Sequence, residues 1–339
     1  MGFGSASLPL PPELRRLVGA PDQLVSVEHV VLTEGTGRGA PVLMVRNPAG
    51  ISFEVLLDRA LDIGWADARN VPLGWRSPRG RASATRYEPQ GPGWSRTFGG
   101  GLLTTCGLSS TGAASTVDGV HHGLHGRIGH CPAENVTWRL VEDRGAPAVE
   151  VAGDVVETAL GTPTLRLRRT IVASCTQPTL RIQDVVSNDS WTVAGHMFRH
   201  HLNLGYPLVG DGSVVRSTAP LIGERDSAVP PLDALPLELS VAEGLCPERV
   251  LYGRPPEAEP EAVVEVTAPD GSATLTVTYG TDTFPLLVLW RDASAGVNVL
   301  GVEPSTSRDG GRAEAERDGE VDWLAPGQSR SYRTEISLR

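Results

Sequence analysis

The chain of 339 residues contains no lysine, so all thirty of its basic side chains are arginine. That removes imine chemistry on a side-chain amine and the lysine of a Walker-type phosphate loop. There is no basic excess either: the formal net charge is −10 and the isoelectric point lies near 5.3. Affinity for nucleic acid or for an anionic membrane comes from such an excess, and neither partner is expected. Cysteine is sparse and scattered, at Cys106, Cys131, Cys175 and Cys246. No CxxC pair suggests a zinc ribbon or a redox motif, and reduced, mostly buried thiols are expected. No apolar run approaches the length of a membrane span, and residues 1–20 lack a basic region followed by a long apolar stretch. A cytoplasmic protein acting on a small molecule is the expectation. The glycosylation-like triplets Asn135-Val136-Thr137 and Asn188-Asp189-Ser190 read as chance matches in that setting.

What the chain does contain is glycine (39), proline (27) and short segments rich in Val, Leu and Thr. This pattern favours many strands joined by turns. Strands are expected at 25–32, 42–45, 51–57, 138–141, 149–151, 165–173, 180–186, 194–204, 263–266, 273–279, 286–290, 297–302 and 331–338, after one short helix at 11–18. No amphipathic helices of 10 to 15 residues separate them, which argues against a parallel α/β sheet. The fold class is all-β, with large packed antiparallel sheets. Residues 1–22 read as an extension and 23–339 as a single domain. Two irregular segments stand out. One, 76–96, carries Arg76, Arg79, Arg81, Arg86 and Arg96 among Trp75, Tyr87 and Trp94, and reads as a solvated loop or as a cover for an acidic ligand. The other, 223–261, reads as a connection or lid.

Four of the eight histidines lie in His121-His122-Gly123-Leu124-His125-Gly126-Arg127-Ile128-Gly129-His130. As an extended strand, this stretch puts His121, His125 and Arg127 on one face and His122, Leu124 and Ile128 on the other. It can be a metal nest, part of an acid/base site, or a turn. In Phe198-Arg199-His200-His201-Leu202-Asn203, alternation places His200 in the core and His201 with Arg199 and Asn203 on the polar face. Glu303 ends an apolar run before Pro304. It is either a desolvated carboxylate with a raised pKa, suited to general base work, or a surface strand terminator. The run Phe98-Gly99-Gly100-Gly101 lacks the spacing of a nucleotide loop and reads as a close approach of backbone to a neighbouring strand or a ligand. A metal reading would use His121, His125 and His201, but neither HExxH nor a paired HxH is present.

Two histidines on separate strands and a late glutamate form a pattern that resembles the aldose 1-epimerases, or galactose mutarotase-like proteins. Leu124-His125-Gly126 resembles the first histidine motif, His201-Leu202-Asn203-Leu204-Gly205 the second, and Val302-Glu303-Pro304 the glutamate segment. Leu324-Ala325-Pro326-Gly327-Gln328 resembles the turn that follows. Together with Asp58-Arg59-x-x-Asp62-Ile63-Gly64, Thr105-Cys106-Gly107-Leu108 and Asn203-Leu204-Gly205-Tyr206-Pro207, these motifs are similar to a divergent branch of that superfamily, over about 23–338. The second histidine sits closer to its asparagine than in ordinary mutarotases, so His200 competes with His201 for the match. The arginine that precedes the first histidine there has only a positional counterpart in Arg96.

The resemblance implies a β-supersandwich with an open cleft and a sugar as ligand, with neither a metal nor a redox cofactor. It implies Glu303 as the base on the anomeric hydroxyl, His201 as the acid on the ring oxygen and His125 as a hydrogen-bonding partner of the opening sugar. Arg59, Arg127, Asn203, His122 and Arg96 are the substrate-binding candidates, and aromatics such as Trp75, Trp94 or Trp290 could stack on a sugar face. A carbohydrate-binding protein without turnover is the alternative reading. A homodimer is compatible with exposed sheet edges.

Overall fold

A computed structural model describes residues 16–225 and 235–339 of the chain. The helix expected at 11–18 lies, for its first five positions, outside the described residues. Two large antiparallel sheets carry the fold. The first, of twelve strands, runs in the order Ser26–Val31, Pro41–Arg46, Ser52–Leu56, Asp62–Ala68, Leu103–Leu108, Ala194–Leu204, Val299–Ser305, Leu286–Asp292, Arg249–Gly253 and Leu221–Glu224. Two short strands are attached beside this path: Val71–Pro72 on Asp62–Ala68 and Asp322–Leu324 on the start of Ala194–Leu204. The second sheet, of nine strands, runs Ala133–Asp143, Ala146–Glu157, Leu165–Ser174, Thr179–Asn188, Ser329–Leu338, Thr274–Gly280, Glu261–Thr267, Val214–Ser217 and Leu237–Glu238. The α-helices of the described residues are short: Gly93–Thr97 and Arg312–Asp318.

The core lies between the sheets because each strand gives one face to it. On Ala194–Leu204, which is flanked on both edges, Phe198, Leu202 and Leu204 join a cluster that includes Ile171, Ile182, Val277 and Ile336 of the second sheet. Burying such side chains supplies roughly 1.5–3 kcal/mol each before entropy is counted. The intervening positions Arg199, His201 and Asn203 face the other side of the first sheet. Leu300 and Val302 on Val299–Ser305 point into the same core, which turns Glu303 outward with them.

Polar residues also cross between the sheets. Arg169, fully buried, donates through Nε and Nη2 to Asp184 at 2.9 and 2.6 Å and lies 3.5 Å from Asp62. Asp184 in turn accepts from His200 Nε2 at 2.7 Å, while His200 Nδ1 meets the Thr334 hydroxyl at 2.9 Å. His196 is fixed the same way, between the Leu108 carbonyl and the Tyr332 hydroxyl. The strand that carries His201 is thus pinned from behind by its own even-numbered histidines.

Most expected strands are present within a few residues. Ala133–Asp143 and Ala146–Glu157 reach further than the sequence pattern, and several strands escaped it, among them Asp62–Ala68, Leu103–Leu108, Val214–Ser217, Leu221–Glu224 and Arg249–Gly253. The extended reading of 121–130 is corrected. Only Val120–His122 is strand, His125 takes φ 56°, and Ile128–His130 is a 3-10 turn. Gly126, at φ 74° and packed on the Gly107 and Ser110 carbonyls, has no room for a side chain, so the chain turns here instead of alternating. The close approach expected around Gly99-Gly100-Gly101 is found: a Cβ on Gly101 would meet the Ile63 carbonyl at 2.7 Å.

Candidate active site

The strand register builds the site. Arg199 pairs with Ser305 and Leu202 with Val302 in adjacent antiparallel strands, a register that sets His201 across from Glu303. Next to Glu303 on the following strand stands Val288, and Trp290 pairs with Gly301. Glycine at 301 leaves space that a Cβ would take from the Glu303 carboxyl. These residues form the floor of a cleft of about 440 Å³ lined also by His125, Trp75, Trp94, Phe98 and Asp309.

His201 Nε2 lies 3.2 Å from Glu303 Oε1. The other carboxylate oxygen, Oε2, accepts from Arg199 Nη1 at 2.9 Å, and the same Nη1 reaches Asp309 Oδ1 at 2.9 Å. Arg199 is locked by Ser305 Oγ and by the Ser307 and Arg308 carbonyls. Asp309 is held from outside by Arg225, which also pairs with Glu248. Glu303 Oε1 and His201 Nδ1, both buried, have no hydrogen-bond partner among the described residues. The protein therefore keeps two polar atoms ready for something that enters the cleft.

His125 approaches from the turn. Its Nδ1 accepts from the Gly112 amide at 3.3 Å, which leaves Nε2 to carry the proton of the neutral ring. Its ring lies 5.6 Å, centroid to centroid, from that of His201, edge to face, and 4.6 Å from that of Trp94. Phe98 and Trp290 each stand 5.6 Å from the His201 ring. The indole N–H groups of Trp75 and Trp290 are engaged with the Val297 carbonyl and Glu248, so both rings are held in place as apolar walls.

Burial sets the charge states. Desolvation raises the Glu303 pKa to about 8 against the opposing pull of Arg199, with Asp309 adding to the rise. Desolvation likewise lowers His125 to about 4 and His201 well below its ordinary value, helped for His201 by His125 and Arg199. Asp309 stays below its usual range because Arg199 and His125 outweigh its burial. At neutral pH the triad holds one titratable proton, resting on Glu303, between neutral imidazoles.

Of the residues expected from sequence, His125, His201 and Glu303 converge here. Asn203 lies just behind, donating to the Gly101 and His201 carbonyls, and so shapes the strand and not the cleft wall. The remaining candidates are elsewhere. Arg59 is buried against the Ala82 carbonyl and His130. Arg96 pairs with Glu88 on the surface. His122 and Arg127 line a different cavity, together with His121, so the three histidines of the metal reading are not gathered. The arginine loop is largely spent on its own anchoring, with Arg81 on Glu54 and Arg86 on the Thr36 carbonyl; Arg79 is the one of the five that lines the cleft. Sequence reasoning missed Arg199 and Asp309. Arg199 was visible as the polar-face neighbour of His201, but Asp309 comes from a loop whose placement no local pattern reveals.

A family of proteins described as Domain of unknown function (DUF4432) matches residues 37–338. No curated protein matches. Among solved structures, a Klebsiella pneumoniae protein assigned to the aldose 1-epimerases by name only superposes with a TM-score of 0.83 at 19% identity, over 93% of this chain and 83% of that one. A galactose mutarotase-like protein from Clostridium acetobutylicum gives 0.63 at 11% identity, over 94% and 99%. An aldose epimerase homologue from C. elegans gives 0.56 at 13%, over 87% and 97%. At these identities the likeness is one of fold. The chain belongs to the DUF4432 family and has the galactose mutarotase-like fold.

Proposed function

We propose that the protein is an aldose 1-epimerase-like isomerase that interconverts the anomers of a sugar by general acid/base ring opening. One observation carries this reading: His125, His201 and Glu303, from three distant parts of the chain, meet in one aromatic-walled cleft with Glu303 Oε1 3.2 Å from His201 Nε2. In the productive form the shared proton sits on His201 and Glu303 is a carboxylate, a form that the Arg199 cation beside Oε2 favours. Glu303 takes the proton of the anomeric hydroxyl as His201 gives its own to the ring oxygen. The C1–O5 bond breaks, an open-chain aldehyde forms, and rotation about C1–C2 followed by the reverse proton transfers closes the ring from the other face. His125 offers its Nε2–H to the ring oxygen or a neighbouring hydroxyl. Each positioned proton transfer is worth about 10²- to 10⁴-fold in rate. The indoles of Trp75 and Trp290 supply flat apolar surfaces for the C–H face of a pyranose.

Saturation transfer between α and β anomeric proton signals, over a panel of neutral, acidic and phosphorylated aldoses, tests this. Accelerated exchange for one sugar, lost in Glu303→Gln, is the expected result. Sugar binding without accelerated exchange would replace the isomerase reading by that of a carbohydrate-binding protein.

A further inference from the structure

A second cavity, of about 450 Å³, uses the 121–127 segment as a wall it has in common with the cleft, but takes the other side chains of that segment: His121, His122 and Arg127 in place of Leu124 and His125. Its volume is in the range of small-molecule sites. Much of its wall is apolar, from Val117, Val120, Pro163, Leu165 and Val193, with the half-exposed indole of Trp323 at its edge.

Two arginines face it. Arg312 is 7% exposed. Its Nε donates to Glu316 and its Nη1 to the Ser109 and Gly195 carbonyls. Nη2 has no acceptor among the described residues and lies over Gly195, where any Cβ would collide with it. Glycine at that position is what lets the guanidinium in. Arg127 lies 5.9 Å from the centre of the Tyr87 ring and forms no ion pair among the described residues. Three acids also line the cavity, Asp118, Glu157 and Glu316. Glu316 pairs with Arg312 and Glu157 spends both oxygens on the Leu108 and Ser109 amides, so Arg127 is the cation left without an acidic partner among the described residues. His122, half-buried near Arg312, is held below its ordinary pKa by burial and by that cation, so at neutral pH it is a neutral hydrogen-bonding group.

We propose that this cavity is a second binding site, separate from the cleft, for a small organic anion: a carboxylate or phosphate ester carried on a ring. Arg127 and the free Nη2 of Arg312 take the anionic group, while Trp323, Tyr87 and the valines pack on the ring. The proposal does not depend on the isomerase reading.

Calorimetric titration of the full chain with glucuronate, glucose 6-phosphate and benzoate, against glucose and inorganic phosphate, tests it and separates the carboxylate from the phosphate source. At least one of the three anions is expected to bind with a Kd below about 1 mM. Arg127→Ala is expected to weaken that binding roughly tenfold or more, and Gly195→Ala to do so by displacing Arg312. Glu303→Gln is expected to leave it within about twofold. Because Arg127 is exposed, its removal does not threaten the fold, which an unchanged melting curve confirms. The proposal is overturned if no anionic probe binds, if glucose or inorganic phosphate binds as well as the ring anions, or if Glu303→Gln abolishes binding and Arg127→Ala does not.

Discussion

His200 and His201 are adjacent in the chain and belong to opposite worlds: His200 Nε2 sits 2.7 Å from Asp184 between the sheets, and His201 Nε2 sits 3.2 Å from Glu303 in the cleft. Changes at the two positions should therefore separate. His201→Ala is expected to slow anomer exchange by about 10²- to 10⁴-fold with little loss of stability. His200→Phe removes a partner from buried Asp184 and is expected to cost about 1–3 kcal/mol while sparing turnover per folded molecule. Denaturant unfolding alongside exchange rates checks both, and a reversed pattern would mean that the wrong histidine has been placed in the chemistry.

The pH dependence of exchange follows from Glu303. Its pKa in the folded protein is about 8, and the carboxylate is the active form of a base. The working form keeps the shared proton on His201 while Glu303 is a carboxylate, so kcat/KM is expected to be level below about 8 and to fall above it as the pair loses that proton. In Arg199→Met the cation that opposes the rise is gone, and the fall is expected to move upward by roughly 1 to 3 pH units. A rate that climbs through pH 8 would show that the shared proton is not used.

Acid should unfold the protein through its neutral histidines. His125 and His196 are each pushed down to about 4 by burial. A folded pKa below the unfolded one means that stability is complete above the ordinary histidine value and is lost as pH falls through the folded value. Each such group gives a slope of about 1.4 kcal/mol per pH unit between roughly 6.5 and 4. Urea midpoints measured at intervals between pH 7 and 4.5 are expected to fall, and to fall less steeply in His196→Gln.

The inter-sheet arginine should matter more than surface pairs. Arg169→Met leaves Asp184 and Asp62 buried with their cation removed, and breaking such a pair typically costs 3–5 kcal/mol. Arg139→Ala, whose pairing with Glu150 lies at the surface, is expected to cost about 1 kcal/mol at most. Equal losses in the two variants would show that the buried network carries no special weight.

The all-β architecture was legible because strand alternation and turn residues are local signals, and the central strand 194–204 was recognised with its faces correctly divided. The convergence of His125, His201 and Glu303 was legible only through resemblance, since residues so distant in sequence reveal nothing of each other by periodicity. Arg59, Arg96, His122 and Arg127 were grouped with them as polar residues in or near shared motifs. Whether a side chain on a turn faces the cleft or the next cavity depends on backbone angles such as φ 56° at His125, which composition does not encode. Asp309 was hidden for a related reason: it acts through Arg199, and the ion pair exists only once strand and loop are assembled.

The placement of Ser329–Leu338 in the middle of the nine-stranded sheet, between Thr179–Asn188 and Thr274–Gly280, governs how the protein is born. A chain emerging from the ribosome can pair the early strands of both sheets, but the second sheet stays split in two until this segment is made. Tyr332 and Thr334 arrive with it, so before then His196 lacks its partner across the interface and His200 has only Asp184 there. Nascent chains must carry two open strand edges through most of translation, a state prone to misassembly. Any chain cut short before residue 329 is thus left without a closed second sheet, and the cleft strand without its backing.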